Sequence, residues 1–287
     1  MRVEFGREIS RNAGYGEKLE WLCTNGIGGY ASGTVSGTLT RRYHGVLVAA
    51  LKPPLGRTVL ASKLDETAHY DEKSYDLSSN RWEDGSISPV GFQNIEKFYL
   101  DGTMPVWEFS ASDAVLEKRI WMKQGENTTY VRYTLKRSSL PLELEIKAYV
   151  NYRDYHSLTK GAGWGMSVRE CGRGAVIKAF DGAMPFYIIS DGAEPETVNT
   201  WYYGFRLAEE EYRGLDNVED HLHAVNIGHR VMHGESVTIA ASVNNRACKN
   251  TERELVNRRK YERELTSRVP EASLLSDSRY GPAIKQL

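Results

Sequence analysis

Three short stretches hold the side chains in this sequence best suited to chemistry. Arg41-Arg42-Tyr43-His44 sets two guanidinium forks beside a phenol and an imidazole. Such a set can donate several hydrogen bonds to sugar hydroxyls or pair with carboxylates across a domain junction. Asn151, Arg153, Asp154, Tyr155 and His156 crowd a second stretch, directly after a strand pattern that ends at Val150. Polar groups at a strand end are placed to line a cleft, and these two stretches, though about a hundred positions apart, are expected on one side of the fold, facing a shared cleft or docking surface. Trp201, Tyr202 and Tyr203 offer aromatic faces on which the C–H face of a pyranose can stack, with indole N–H and phenol O–H as polar handles. Each stretch also has a plain structural alternative: arginines that face solvent or pair internally, a corner built on Asp and Asn backbone bonding, and aromatic core packing. The run Glu209, Glu210, Glu211, Arg213, Asp216, Glu219 and Asp220 reads as a solvated face with no acid or base role.

No complete active site is legible. Glycoside hydrolysis needs two positioned carboxyl groups, and spacing singles out no pair. The sequence has no GxSxG elbow, no HExxH helix and no P-loop lysine pattern. Cys23, Cys171 and Cys248 are odd in number and far apart, which predicts reduced thiols; neither a disulfide framework, a metal site nor a cofactor is expected. A net charge of −1, with Lys and Arg interspersed among Asp and Glu, argues against nucleic acid as a partner. The charged opening MRVEFGREIS and the lack of any apolar run near ~20 residues predict a cytoplasmic protein with no membrane segment.

The elements that must position these residues are almost all strands. In 129–135, Val131, Tyr133 and Leu135 share one face; in 142–148, Leu142, Leu144 and Ile146 face away from Glu143, Glu145 and Lys147. Similar short runs recur at 46–50, 59–63, 97–100, 115–122, 175–180, 186–190 and 237–243. Turn signals such as Asp101-Gly102, Asp181-Gly182 and Asp191-Gly192 punctuate them. The pattern predicts a mainly β fold of two stacked antiparallel sheets. Helix is expected at 205–212, stopping at Gly214, and at 251–266 as a charged, exposed or linker helix before Pro270. At 287 residues and 40% hydrophobic content, one large β domain over 1–248 and a helix-plus-linker tail over 249–287 is the expected division.

Residues 20–67, EWLCTNGIGGYASGTVSGTLTRRYHGVLVAALKPPLGRTVLASKLDET, combine these features in several separated blocks. The order EWL, TNG, GGYASGT, TRRYHG, PP and GRTVL closely resembles the opening of the amino-terminal domain of archaeal and bacterial glycogen debranching enzymes of the amylo-α-1,6-glucosidase type. The NYRDYHS block at 151–157 is similar to theirs as well. The resemblance implies a two-sheet super-sandwich, like the galactose-mutarotase-like domains that precede the barrel in glucoamylase-like enzymes. It also implies catalytic acids in a helical (α/α) barrel that lies outside these residues, in cis or as a separate chain. The expected role is therefore non-catalytic: buttressing that barrel and contributing to binding of glycogen or an α-glucan oligosaccharide. Two rivals stay open. One is a stand-alone carbohydrate-binding module using Trp201, Tyr202 and Tyr203; the other is a mutarotase-like epimerase with His44, His156 or Asp154 as acid or base.

Overall fold

The computed structural model describes residues 3–193 and 195–268. Two large antiparallel sheets stack face to face. The first has nine strands in the order Glu4–Gly6, Ile95–Asp101, Met104–Ala111, Ala114–Met122, Thr128–Arg137, Ser236–Ser242, Phe186–Ser190, Gly174–Lys178 and Ser167–Glu170. The second has eight: Pro195–Arg206, Val218–Val231, Leu142–Asp154, Leu55–Tyr70, Gly45–Lys52, Tyr30–Thr34 and Glu20–Thr24, with Lys73–Asp76 paired to Leu55–Tyr70. A small hairpin of Ser79–Arg81 and Ile87–Val90 flanks them.

The alternation read from sequence is the origin of the core. Leu142, Leu144, Ile146 and Ala148 point inward from one sheet, and Val131, Tyr133 and Leu135 meet them from the other. A charged contact sits in this otherwise apolar layer. Glu66 is 1% exposed and accepts a hydrogen bond from Tyr133 Oη at 2.5 Å, with Lys118 Nζ also 2.5 Å from its carboxylate.

Two local expectations need correction. Phe205 and Arg206 end the Pro195–Arg206 strand, and the helix is only Ala208–Tyr212. Phe205 pairs with Glu219 and lays its ring against Trp82, Tyr149 and His221, so cross-strand packing overrides the local helix preference. Asp191-Gly192 separates two strands as its turn signal implies, carrying the chain from Phe186–Ser190 in one sheet to Pro195–Arg206 in the other.

The second correction concerns the charged helix, which spans Thr251–Ser267 and is capped by Asn250, whose side chain accepts from the Arg253 N–H at 3.1 Å. It packs directly on the sandwich. Leu255 is buried with Met104, Trp121, Tyr130 and Ala240 on the outer side of the nine-stranded sheet. Pro270 and the apolar residues Leu274, Leu275, Tyr280, Ile284 and Leu287 lie outside the described residues. No described helix is long and apolar enough to cross a membrane.

Candidate functional site

The first two polar stretches meet. Tyr43 Oη lies 3.2 Å from His156 Nδ1 although the two residues are 113 positions apart. Arg42 Nη1 donates to the His156 carbonyl at 2.7 Å, and Arg153 Nη2 donates back to the Arg42 carbonyl at 2.7 Å. The rings of Tyr43 and Tyr155 meet edge-on at 5.6 Å, and Arg57 lies 5.5 Å from the Tyr155 ring centre. Loop 35–44 and the end of Leu142–Asp154 are thus locked as one corner of the eight-stranded sheet.

The corner has a buried half and an exposed half. His44, Asn151 and Arg153 are buried and act as supports. His44 Nδ1 accepts from the Thr40 N–H at 3.2 Å, which leaves its proton on Nε2, 3.3 Å from Glu20. Asn151 Nδ2 donates to the Asp220 carbonyl at 3.1 Å, while its Oδ1 accepts from Thr159 Oγ1 at 2.6 Å. Arg153 pairs with Glu219 through both Nε and Nη2, the latter at 2.8 Å. Tyr43, Tyr155, His156, Asp154 and Arg41 keep surface toward solvent. Asp154 accepts the His156 N–H at 2.9 Å, a local turn that fixes the imidazole beside Tyr43.

The charged run expected on a solvated face is split. Glu210 is fully buried and sits 3.1 Å from Arg42 Nε, and Glu219 is 1% exposed against Arg153. Burial pushes the Glu219 carboxyl above its ordinary range, with Arg153 opposing that shift. Burial, reinforced by Arg153 and Lys63, holds the neighbouring His221 imidazole well below its ordinary value and so neutral. Sequence reasoning missed Glu210 and Glu219 as partners. The available signal was two arginine-bearing clusters that would need carboxylates if they were buried.

Glu20, also missed, sits at the mouth of the corner. A shallow groove of about 340 Å³ is lined by Glu20, Leu22, Tyr30, Arg41 and Tyr43. His44 and Arg41 hold the Glu20 carboxyl down at about 2 despite its partial burial. A depressed carboxyl contributes stability above its unfolded value, 4.5, and that contribution is lost as pH falls toward about 2. Glu20→Gln should therefore unfold at a lower temperature than the parent at pH 7. The gap should close between pH 4.5 and 2, as read by thermal melts across pH.

Trp201, Tyr202 and Tyr203 do not form one platform, because neighbouring strand residues face opposite ways. Trp201 packs against the core: its Nε1 donates to the Trp164 carbonyl at 2.8 Å, and its ring lies so close to Gly161 that an added Cβ would come within 2.3 Å of it. Tyr202 sits edge-on to Tyr149 at 5.3 Å and beside His223. Of the three, Tyr203 is the exposed one, at 57%.

Fold and site together define a two-sheet β-sandwich domain that presents a rigid polar corner. The chain belongs to the glycogen debranching enzyme N-terminal family, whose model matches residues 19–238 and so includes both polar clusters. Among solved structures it is similar to a bacterial glucoamylase complexed with acarbose, at 9% identity and a TM-score of 0.38, over 84% of this chain and 34% of that one. A protein described as a kojibiose phosphorylase from the human microbiome aligns at 10% identity and a TM-score of 0.32, over 94% of this chain and 30% of the other. No relative is found among curated proteins.

Proposed function

We propose that this chain is the non-catalytic N-terminal domain of a glycogen debranching enzyme, buttressing a catalytic (α/α) barrel and forming part of the wall that receives an α-1,6-linked glucosyl branch. The family match over 19–238 carries this reading. The chemistry of the corner supports it. A glycosidase acid must hold a proton near neutral pH, which requires a raised carboxyl; Glu20, in the groove, is held at about 2 and has none to give. Asp154 is committed to the His156 backbone. The epimerase alternative loses His44 as its base, since that imidazole is 3% exposed with both nitrogens engaged. What the corner does offer is a preorganised set of donors and rings, Arg41, Tyr43, Tyr155 and His156, for sugar hydroxyls or for the barrel surface.

The test compares glucose release from a limit dextrin by this chain alone and by the chain joined to a debranching-enzyme barrel. The chain alone should release none, because among the described residues the corner's carboxylates, Glu20 and Asp154, offer no acid and base poised across a scissile bond. In the joined protein, Tyr43→Ala with His156→Ala should lower kcat/KM by about tenfold or more, roughly the loss of one or two hydrogen bonds. Robust hydrolysis by the chain alone would overturn the reading.

A further inference from the structure

A second groove opens between the small hairpin and the end of the Pro195–Arg206 edge strand. Trp82, Glu83, Lys160 and Tyr203 line a space of about 400 Å³. An adjoining space of about 520 Å³ shares Glu83, Lys160 and Val218 and continues to Arg42 and Asp216. Both volumes are in the range of small-molecule sites.

The walls are held in place by the fold. The pairing of Pro195–Arg206 with Val218–Val231 shifts register between Tyr202 and Phe205, and Gly204 within that bulge has φ +82°. Glycine meets that backbone requirement without strain, and the bulge sets Tyr203 outward. Asp220, 6% exposed, fixes the floor: one carboxylate oxygen accepts the Gly204 N–H at 3.0 Å and the other the Gly161 N–H at 2.8 Å. Trp82 Nε1 donates to the Ser88 carbonyl at 2.7 Å, and its ring centre is 4.8 Å from that of Phe205. Trp82 is thus ordered before any ligand arrives, which removes part of the entropic cost of association.

The groove's free groups match one chemistry. Tyr203 presents an exposed ring for the C–H face of a pyranose. Lys160 Nζ spends one bond on the Val218 carbonyl at 2.8 Å, and an ammonium has two more to give. Among the described residues the exposed Glu83 carboxylate makes no hydrogen bond, so it can accept from a hydroxyl. Sugars need all three at once: an apolar face, donors and acceptors. Anionic polymers would meet Glu83, Asp84 and Asp216 and be repelled.

We infer that this groove holds an α-1,4-glucan segment several glucosyl units long, gripped at Tyr203 and Lys160 and running toward Arg42. The choice of glucan rests on the function proposed above. Because Arg42 is next to Tyr43, a chain so held is delivered to the polar corner, and the groove supplies preference for long outer chains over free glucose.

Calorimetric titration of the full chain with maltoheptaose and with glucose tests this. Maltoheptaose should bind at least ~tenfold more tightly than glucose, and Tyr203→Ala should weaken it by ~tenfold, the value of one stacked ring plus its area. Tyr203 is exposed, so its variant should keep the parent's melting temperature; Tyr15→Ala, at an exposed tyrosine outside the groove, is the control and should bind as the parent does. Lys160→Met should also weaken binding. Loss of maltoheptaose binding on Tyr43→Ala but not on Tyr203→Ala would overturn the groove while leaving the proposed function standing. No binding at millimolar concentrations would overturn it too. Binding that behaves as expected in a chain that also hydrolyses limit dextrin by itself would uphold the groove and sink the non-catalytic reading.

Discussion

Arg153→Met is expected to destabilise the domain by ~3–5 kcal/mol, the usual consequence of stranding one member of a buried ion pair. Glu219 would be left inside with its charge uncompensated, because both its oxygens face Arg153 in the parent. The damage should reach the surface. Arg153 also donates to the Arg42 carbonyl, and Arg42 in turn holds the His156 carbonyl, so the exposed pair Tyr43 and His156 loses its support. A pH signature separates this account from simple loss of packing. With Arg153 gone, burial raises the Glu219 carboxyl further. A carboxyl raised in the folded state favours folding at low pH and costs stability as pH rises through its folded value, so the deficit should shrink on acidification. Adding Glu219→Gln to Arg153→Met should recover much of the loss at neutral pH. Denaturant melts of the four proteins of this cycle give the coupling directly. An uncoupled pair, or a deficit independent of pH, would show that Glu219 is not the group that suffers.

The strands were legible in the sequence because their cause is local. Leu142, Leu144 and Ile146 alternate with Glu143, Glu145 and Lys147, and a period of two leaves one way to bury the apolar set. Phe205 was not legible as strand, since Phe-Arg-Leu-Ala-Glu favours helix until Glu219 pairs across from it. The polar clusters could be picked out by composition, and two polar knots beside strands pointed to one shared side, but not the contact itself: nothing in spacing brings Tyr43 Oη to His156 Nδ1. Nor could a single sequence show that Glu210 and Glu219, inside a charged run, turn inward to Arg42 and Arg153. Charged residues are seldom fully buried unless paired, so the sequence prior is solvent, and only the partner reverses it. Trp201 was ambiguous for the opposite reason. An aromatic ring suits a core and a sugar equally well, and the glycine at 161 that decides for the core lies 40 positions away.

Ending the chain at residue 248 is the second large perturbation, and it should cost more than Leu255→Ala, itself expected at ~2–5 kcal/mol for a buried leucine. By composition, helix Thr251–Ser267 resembles a linker, yet its contacts tie the sandwich together. Arg258 Nη1 donates to the Thr24 carbonyl at 2.9 Å and Nη2 to Thr103 Oγ1 at 2.7 Å. Thr24 closes an edge strand of the eight-stranded sheet, and Thr103 lies in a hairpin of the nine-stranded one, so one guanidinium spans both. Glu262 fixes that guanidinium at 2.7 Å and accepts the Thr103 N–H at 3.2 Å. Beneath the helix, Trp121 and Tyr130 are fully buried, and without it their surroundings become an apolar patch on an open sheet face. The shortened chain should melt ~10 °C or more below the parent, given ~2–4 °C per kcal/mol at this size, and should bind a hydrophobic dye that the parent excludes. Arg258→Ala should produce part of that shift without opening the patch. If the 1–248 chain melted like the parent, the helix would be a connector after all, and the domain would end where the β pattern does.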